Sequence, residues 1–212
     1  KMMPIGSIIN LSIRSGYNRR LTVALTIFAI AISVMLILGV EKVRQDAKRS
    51  FANTISGTDL IVGARSGSIQ LLLYSVFRIG NATNNISWKS YRFVAGRKDV
   101  EWTIPISLGD SHRGFRVMGT SEDYFRYYQY GQKRNLNFEA GRPFNDIFDT
   151  VLGAEVAAKL GYEVGQKIII DHGLGSGGVT QHKDKPFRIV GILTRTGTPV
   201  DRTVHVSLEG IT

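Results

Sequence analysis

The chain has 212 residues and a net charge of +10, which is long enough for one domain with a core or for two small ones. Residues 1–40 contain four Lys or Arg residues and no acid, so residues 41–212 carry only +6. The absence of cysteine excludes disulfides, cysteine-ligated zinc and a thiol nucleophile.

The most distinctive segment is residues 21–40, an uncharged run of twenty residues of which 16 are apolar. A helix of this length measures about 30 Å and matches the hydrocarbon core of a bilayer, so we predict a transmembrane helix. Residues 1–20 carry apolar side chains at helical spacing and predict a short elbow helix in the membrane interface. Lys and Arg are equally frequent close to both ends of the span, so these charges alone do not orient it.

One face of the predicted span carries small and weakly polar side chains at steps of three and four residues. They are Thr22, Thr26, Ala29 and Ser33. Small faces allow close approach of helices in lipid, so we predict that this face packs against other helices. The alternative is a lone anchor whose hydroxyl groups bond to their own helix.

After the span, apolar residues recur at three- and four-residue steps and predict an amphipathic stalk helix over 41–56, ended by Gly57. Residues 57–134 predict a β-α-α-β-β-α order. Its elements are a short strand at 59–64, a helix at 69–79, a helix from Trp88 towards Gly96 capped by Ser87, a hairpin of 100–108 and 115–119, and a short aromatic helix from Ser121.

From residue 135 the sequence pattern changes to short predicted strands separated by glycine-containing loops. We predict strands at 149–153, 166–171, 186–195 and 202–208, with a helix at 154–160 closed by Gly161. The fold class expected from these patterns is α+β: an N-terminal transmembrane helix and stalk, an α/β part over 57–134 and a β-rich part over 135–212.

No pattern indicates catalysis. Asp110, Ser111 and His112 are neighbours on one predicted turn, whereas a catalytic triad converges from separate segments. The glycine-rich run 173–178 lacks the following helix that a dinucleotide site requires. We therefore expect no enzyme activity and no cofactor in this chain. The aromatic and basic residues around 124–134 predict a core rather than a nucleic-acid surface.

The predicted helix 69–79 is unusually apolar, because Leu71 and Tyr74 widen its apolar stripe beyond what a one-sided surface helix needs. Burial between the two parts of the domain is one interpretation. Contact of Leu71 and Tyr74 with hydrophobic cargo or with a partner is the other.

Several stretches occur in an order that resembles a known family. They are the basic residues and span at 18–44, SGTDLIVGARSG at 56–67, EAGRPF at 139–144, VLGAEVAAKLG at 151–161, VGQKI at 164–168 and PFRIVGIL at 186–193. Together they resemble the MacB/FtsX-like permease family of ABC transporters, specifically its N-terminal half. The resemblance covers essentially all 212 residues.

The resemblance implies that the span is the first of four, with a cytoplasmic N-terminus and a large periplasmic domain in the inner membrane of the cell. The periplasmic domain would have a porter-like part (57–134) and a sabre-like part (135–212), and three further spans are expected after Thr212. It also implies a dimer with a second permease copy, contact with membrane lipid, and an ATPase subunit. Because Met2 and Met3 lie near the start, we expect this ATPase to be a separate chain. A periplasmic adaptor or lipoprotein is a further candidate partner. The competing hypothesis is a single-span, membrane-anchored module for extracytoplasmic binding.

Overall fold

The computed structural model describes residues 19–80, 84–172 and 186–211. The elbow helix predicted at 1–20 and the glycine-rich run at 173–178 therefore fall almost wholly outside the described residues. The chain divides into two compact units, Lys1–Arg49 and Ser50–Thr212, and each is considered by itself.

The first long element is helix α1, Arg20–Thr54, whose 35 residues make it about 52 Å long. It contains the predicted span and most of the predicted stalk. Across the described residues, one helical stretch is long and apolar enough to cross a membrane, Arg20–Asp46. After the apolar run the helix is supported by side-chain pairs one turn apart, in which Glu41 accepts hydrogen bonds from Arg44 at 3.3 Å and Gln45 at 3.1 Å.

The second unit is built on an eight-stranded mixed sheet. Its strands are β1 (Ser107–His112), β2 (Phe115–Thr120), β5 (Phe138–Gly141), β6 (Asp149–Leu152), β7 (Lys167–Ile168), β8 (Asp171–His172), β9 (Phe187–Leu193) and β10 (Thr203–Ser207). The order is β5-β9-β6-β10-β2-β1-β8, with β7 pairing with β9, while β3 (Gln129–Tyr130) and β4 (Arg134–Asn135) form a separate two-stranded sheet. The β10–β2 pair is parallel and joins strands from both sides of residue 135. The division into porter-like and sabre-like parts stays a prediction.

Both faces of the large sheet are covered, which accounts for the continuous apolar runs in its strands. Successive side chains of a strand point to opposite faces, so Val117 and Met118 of β2 enter two different buried clusters. Leu152 and Val151 of β6 divide in the same way. The α+β class predicted from the sequence is confirmed.

Among the described residues, the second unit has four shorter α-helices and two short 3₁₀ helices. The α-helices are α2 (Ser68–Ser75), α3 (Trp88–Ala95), α4 (Asp123–Tyr127) and α5 (Ala154–Leu160), and the 3₁₀ helices are Pro199–Arg202 and Leu208–Gly210. Helix α3 begins as predicted, because the Ser87 hydroxyl accepts a hydrogen bond from the Ser90 N–H at 3.1 Å. Helix α5 ends at Gly161, whose φ of +66° is the left-handed conformation that favours glycine.

Three local predictions are wrong. Helix α2 ends at Ser75 rather than residue 79, and Arg78 beyond it has a positive φ of 60°. Residues 59–64 and 100–106 are not paired strands, because no strand among the described residues lies against them. The residues predicted as a turn at Asp110–His112 belong to β1, and the hairpin turns at Arg113 and Gly114.

Three glycines in the quoted motifs lie where backbone approaches backbone. A Cβ atom on Gly141 would lie 2.0 Å from the Val190 carbonyl oxygen, and one on Gly153 would lie 2.2 Å from that of Val200. A Cβ on Gly191, which pairs with Gly141, would lie 2.3 Å from the Arg142 carbonyl oxygen. The EAGRPF, VLG and IVGIL stretches therefore carry glycine for a packing reason.

Candidate functional site

Two hydroxyl groups on the small face of the predicted span form hydrogen bonds within their own helix. The Thr26 hydroxyl donates to the Thr22 carbonyl and the Ser33 hydroxyl donates to the Ala29 carbonyl, both at 2.9 Å. These bonds satisfy two of the three hydroxyl donors of the face within the helix itself, so the Thr26 and Ser33 positions are compatible with lipid as well as with another helix. The role of this face in helix packing stays a prediction.

A second candidate site is a large apolar groove in the unit Ser50–Thr212, with a volume of about 750 Å³. We call it the apolar groove; its walls are the extended segments 58–64 and 100–106 together with helices α2 and α3. Its size lies within the range of ligand pockets, and its lining combines apolar side chains with a few polar groups, as in binding sites.

Leu71 and Tyr74, the two candidate contact residues on α2, both line the apolar groove. The Tyr74 hydroxyl donates to the Leu108 carbonyl at 2.5 Å and accepts from the Leu108 N–H at 3.0 Å, so it fixes the start of β1 against α2. Burial raises the pKa of Tyr74, and the phenol stays protonated at neutral pH. Tyr74 therefore has a structural role in addition to its place in the groove wall.

Leu71 connects the helix to the first extended segment. A Cβ atom on Gly63 would lie 2.4 Å from Leu71 Cδ1, so the leucine side chain occupies the space beside this glycine. The groove wall formed by 58–64 therefore packs on α2 at Gly63. In the same wall, the side chains of Leu60 and Val62 are 75% and 49% exposed. An exposed apolar surface of this kind is typical of an interaction site.

The charged groups that line the apolar groove are acidic in balance. Arg97 binds Asp99 through two hydrogen bonds of 2.9 Å, which raises the pKa of Arg97 and lowers the pKa of Asp99. Asp59 and Glu101 are the other charged residues in the lining. The groove therefore carries two carboxylates beyond its one internal ion pair.

Beneath the apolar groove lies an aromatic cluster that the sequence predicted as core. Tyr124, Phe125, Tyr128 and Tyr130 are all buried. The Tyr128 hydroxyl donates to the Thr54 carbonyl at the last residue of α1, where a helix has carbonyls without intrahelical partners. The rings therefore fix the end of this helix within the unit Ser50–Thr212.

The same core contains a buried cation that the sequence does not reveal. Arg78 is only 7% exposed and donates to the Ser75 carbonyl at 2.6 Å and to the Tyr124 hydroxyl at 3.4 Å. No ion pair between described residues involves Arg78. In the sequence it resembles any surface arginine after an amphipathic helix, because its burial depends on the positive φ that turns the chain inward.

The described residues combine a helix that is long and apolar enough to cross a membrane with a mixed α+β domain that carries an apolar groove, which is the architecture of a membrane-anchored domain protein. A family model described as the MacB-like periplasmic core domain matches residues 23–211. The chain belongs to this family, which is a component of ABC transporter permeases.

The sequence has no significant match among curated proteins. Among solved structures it is similar to the periplasmic region of MacB from Actinobacillus actinomycetemcomitans, with 14% identity and a TM-score of 0.40. The match covers 60% of this chain and 57% of that chain, so it spans little more than half of the solved region.

Proposed function

We propose that the chain is the first span and periplasmic domain of a permease subunit in an inner-membrane ABC transporter. A partner ATPase hydrolyses ATP, and the resulting movement of the spans displaces the periplasmic domain to extract or export a cargo. The chain itself performs no covalent chemistry. A second permease copy, membrane lipid and a periplasmic adaptor or lipoprotein are the further partners in this proposal.

The observation that carries the proposal is the continuity of helix α1 from the apolar run to Thr54. A helix without a break transmits displacement along its axis, whereas a flexible linker absorbs it. The hydrogen bond from Tyr128 to the Thr54 carbonyl ties the end of this helix to the aromatic core. Family membership supports the transporter context in which such a connection has a use.

Coupling is tested by replacing Ala47 and Lys48 with glycine in the assembled transporter. Two adjacent glycines cost about 1 kcal/mol each in a helix and loosen it at that point. We expect ATP hydrolysis to persist while cargo movement falls at least tenfold, measured in parallel in proteoliposomes. The matched control changes both residues to leucine, which keeps the helix and should keep transport. Normal transport with the double glycine would contradict the proposal.

The competing hypothesis of an anchored binding module is favoured by one observation, that the Thr26 and Ser33 hydroxyls are already satisfied within α1. Such a module needs no rigid connection and would tolerate the double glycine fully. The same experiment therefore distinguishes the two functions.

Topology is tested with single cysteines, which the cysteine-free sequence allows without background. A cysteine at Asn18 precedes the span, and a cysteine at the exposed Lys98 lies in the periplasmic domain of the proposal. On intact cells with a permeabilised outer membrane, we expect an impermeant thiol reagent to label position 98 at least tenfold more than position 18. Permeabilising the inner membrane as a control should equalise them. Preferential labelling of position 18 would reverse the orientation.

A further inference from the structure

The two extended walls of the apolar groove have backbone donors without partners. Across residues 58–64 and 101–106, no backbone N–H donates to another described residue, and Pro105 within the second segment has no N–H to donate. Neither segment contains a helix, and no described strand lies beside either of them. They therefore resemble the open edges of a sheet, which accept an added strand.

The side chains around these donors are apolar. Ile61, Ile104 and Ile106 line the groove from the two segments, and Phe93 of α3, which is 71% exposed, lines it from the side. Trp102 is held in place by stacking on Tyr127, with ring centroids 5.6 Å apart. An added strand would thus find backbone partners along the walls and apolar contacts for alternate side chains.

A hydrocarbon chain would fit the apolar lining but not the backbone. Covering the walls with an acyl chain removes water from the free N–H groups without replacing the hydrogen bonds that this water made, which is unfavourable for each group. An extended peptide replaces those bonds with its own carbonyls. The unpaired donors therefore favour a peptide over a lipid.

The charge of the groove specifies the peptide further. Asp59 and Glu101 leave the lining with a net negative charge although the whole chain is strongly positive. A peptide with lysine or arginine beside its apolar residues is attracted to this site, whereas an acidic one is repelled.

We propose that the apolar groove binds an extended apolar peptide segment with basic flanks, by strand addition to residues 58–64 or 101–106. The site does not depend on ATP hydrolysis or transport, so this inference stands or falls separately from the proposed function.

The test uses the full chain in detergent micelles and a heptapeptide, acetylated and amidated, with Lys at both ends and alternating Val and Thr between them. Hydrogen exchange is followed by mass spectrometry. At a peptide concentration ten times its Kd, we expect exchange in at least one of the two segments to slow about tenfold. No binding up to millimolar peptide, or binding without slowed exchange in either segment, would overturn the proposal.

Two kinds of control ligand separate backbone pairing from simple hydrophobic contact. Two further peptides keep the side chains but carry N-methyl groups on the odd-numbered or on the even-numbered residues, so that one of the two loses the N–H groups that face the wall. We expect the Kd to rise at least tenfold for one of them. Unchanged affinity of both would overturn strand addition. Dansylaminoundecanoate represents an acyl chain. If it displaces the peptide at a concentration below that of the peptide itself, the groove is assigned to lipid instead.

Variants locate the site. Consecutive N–H groups of an extended segment point in opposite directions, so of Ile61→Pro and Val62→Pro only one should weaken binding strongly, by about tenfold. Ile61→Ala and Val62→Ala keep the N–H groups and control for side-chain loss. If the peptide instead pairs with 101–106, only one of Thr103→Pro and Ile104→Pro should show the loss, with Thr103→Ala and Ile104→Ala as controls. Unchanged affinity in all four proline variants overturns the proposal.

The contribution of charge to peptide binding is tested by replacing the two carboxylates of the groove. Asp59→Asn with Glu101→Gln should raise the Kd several-fold at low salt and little at high salt. Lys167→Gln, an exposed residue of β7 that does not line the groove, should leave the Kd unchanged.

Discussion

Replacing Gly141 with alanine is expected to lower the free energy of unfolding by about 2–5 kcal/mol. Its φ of +77° is unfavourable for a residue with a Cβ by about 1–2 kcal/mol. The new methyl group would also lie 2.0 Å from the Val190 carbonyl oxygen, so β5 and β9 must separate. Such overpacking typically costs a further 1–3 kcal/mol. A small domain is stable by only about 5–15 kcal/mol, so this single methyl group removes a large part of the total.

Two other alanine variants divide this effect into its causes. Gly153 has an ordinary φ of −68° but a Cβ there would lie 2.2 Å from the Val200 carbonyl oxygen, so its variant measures steric overlap alone. Gly161 has a positive φ and open space around it, so its variant measures conformational strain alone. We expect losses of about 1–3 kcal/mol and about 1–2 kcal/mol respectively.

Urea unfolding of the full chain in detergent provides the measurement, followed by tryptophan fluorescence. Both tryptophans, Trp88 and Trp102, lie in the unit Ser50–Thr212 and report on it directly. Equal losses at Gly141 and Gly161 would contradict the assigned backbone overlap.

The sequence predicts best the elements whose ends are set by local chemistry. The helix at 154–160 follows from its periodicity and from Gly161, and α3 begins where Ser87 offers a hydroxyl to a free N–H. These features depend on residues within one turn of each other. They are the same in any tertiary context, which is why sequence patterns contain them.

Segments 59–64 and 100–106 could not be predicted in the same way. The alternation of Trp102, Ile104 and Ile106 indicates an extended backbone, and the backbone is extended. The alternation of side chains does not indicate whether another strand lies beside the segment. The unpaired donors of the apolar groove, on which the peptide proposal depends, therefore become visible only in three dimensions.

The two candidate contact residues illustrate a further limit. The width of the apolar stripe on α2 draws attention to Leu71 and Tyr74, and both line the groove. The stripe does not indicate that the Tyr74 hydroxyl holds Leu108 through two hydrogen bonds. Since Tyr74 has this second role, a loss of binding on its substitution would not by itself identify a contact residue.

Acid is expected to destabilise the periplasmic unit through His205. This side chain on β10 is fully buried, its Nδ1 lies 3.2 Å from the Val151 carbonyl oxygen, and its ring lies 5.2 Å from that of Tyr124. Burial, reinforced by the positive charge of Arg78, lowers the pKa of His205 to about 3. The folded protein therefore keeps this imidazole neutral under conditions in which the unfolded chain protonates it.

The direction of the effect follows from this difference. Above about pH 6.5 the histidine is neutral in both states and contributes no pH dependence. As the pH falls below 6.5, His205 binds a proton in the unfolded chain but stays neutral in the folded chain. The free energy of unfolding therefore falls by about 1.4 kcal/mol per pH unit until the pH reaches the pKa of His205 in the folded state. Between pH 7.5 and pH 4.5 the loss from His205 is about 3 kcal/mol.

The His205→Asn variant isolates this loss, because asparagine keeps a donor near the Val151 carbonyl but does not titrate. Its smaller side chain should cost about 1–3 kcal/mol at pH 7.5. The urea-derived free energies of the two proteins should then converge as the pH falls to 4.5. His112, whose pKa burial also lowers, is present in both proteins and cancels in the comparison. So do the carboxyls with lowered pKa at Asp99 and Glu155, which protonate at lower pH. Parallel pH profiles for the two proteins would mean that the folded state accommodates a charged His205 beside Arg78.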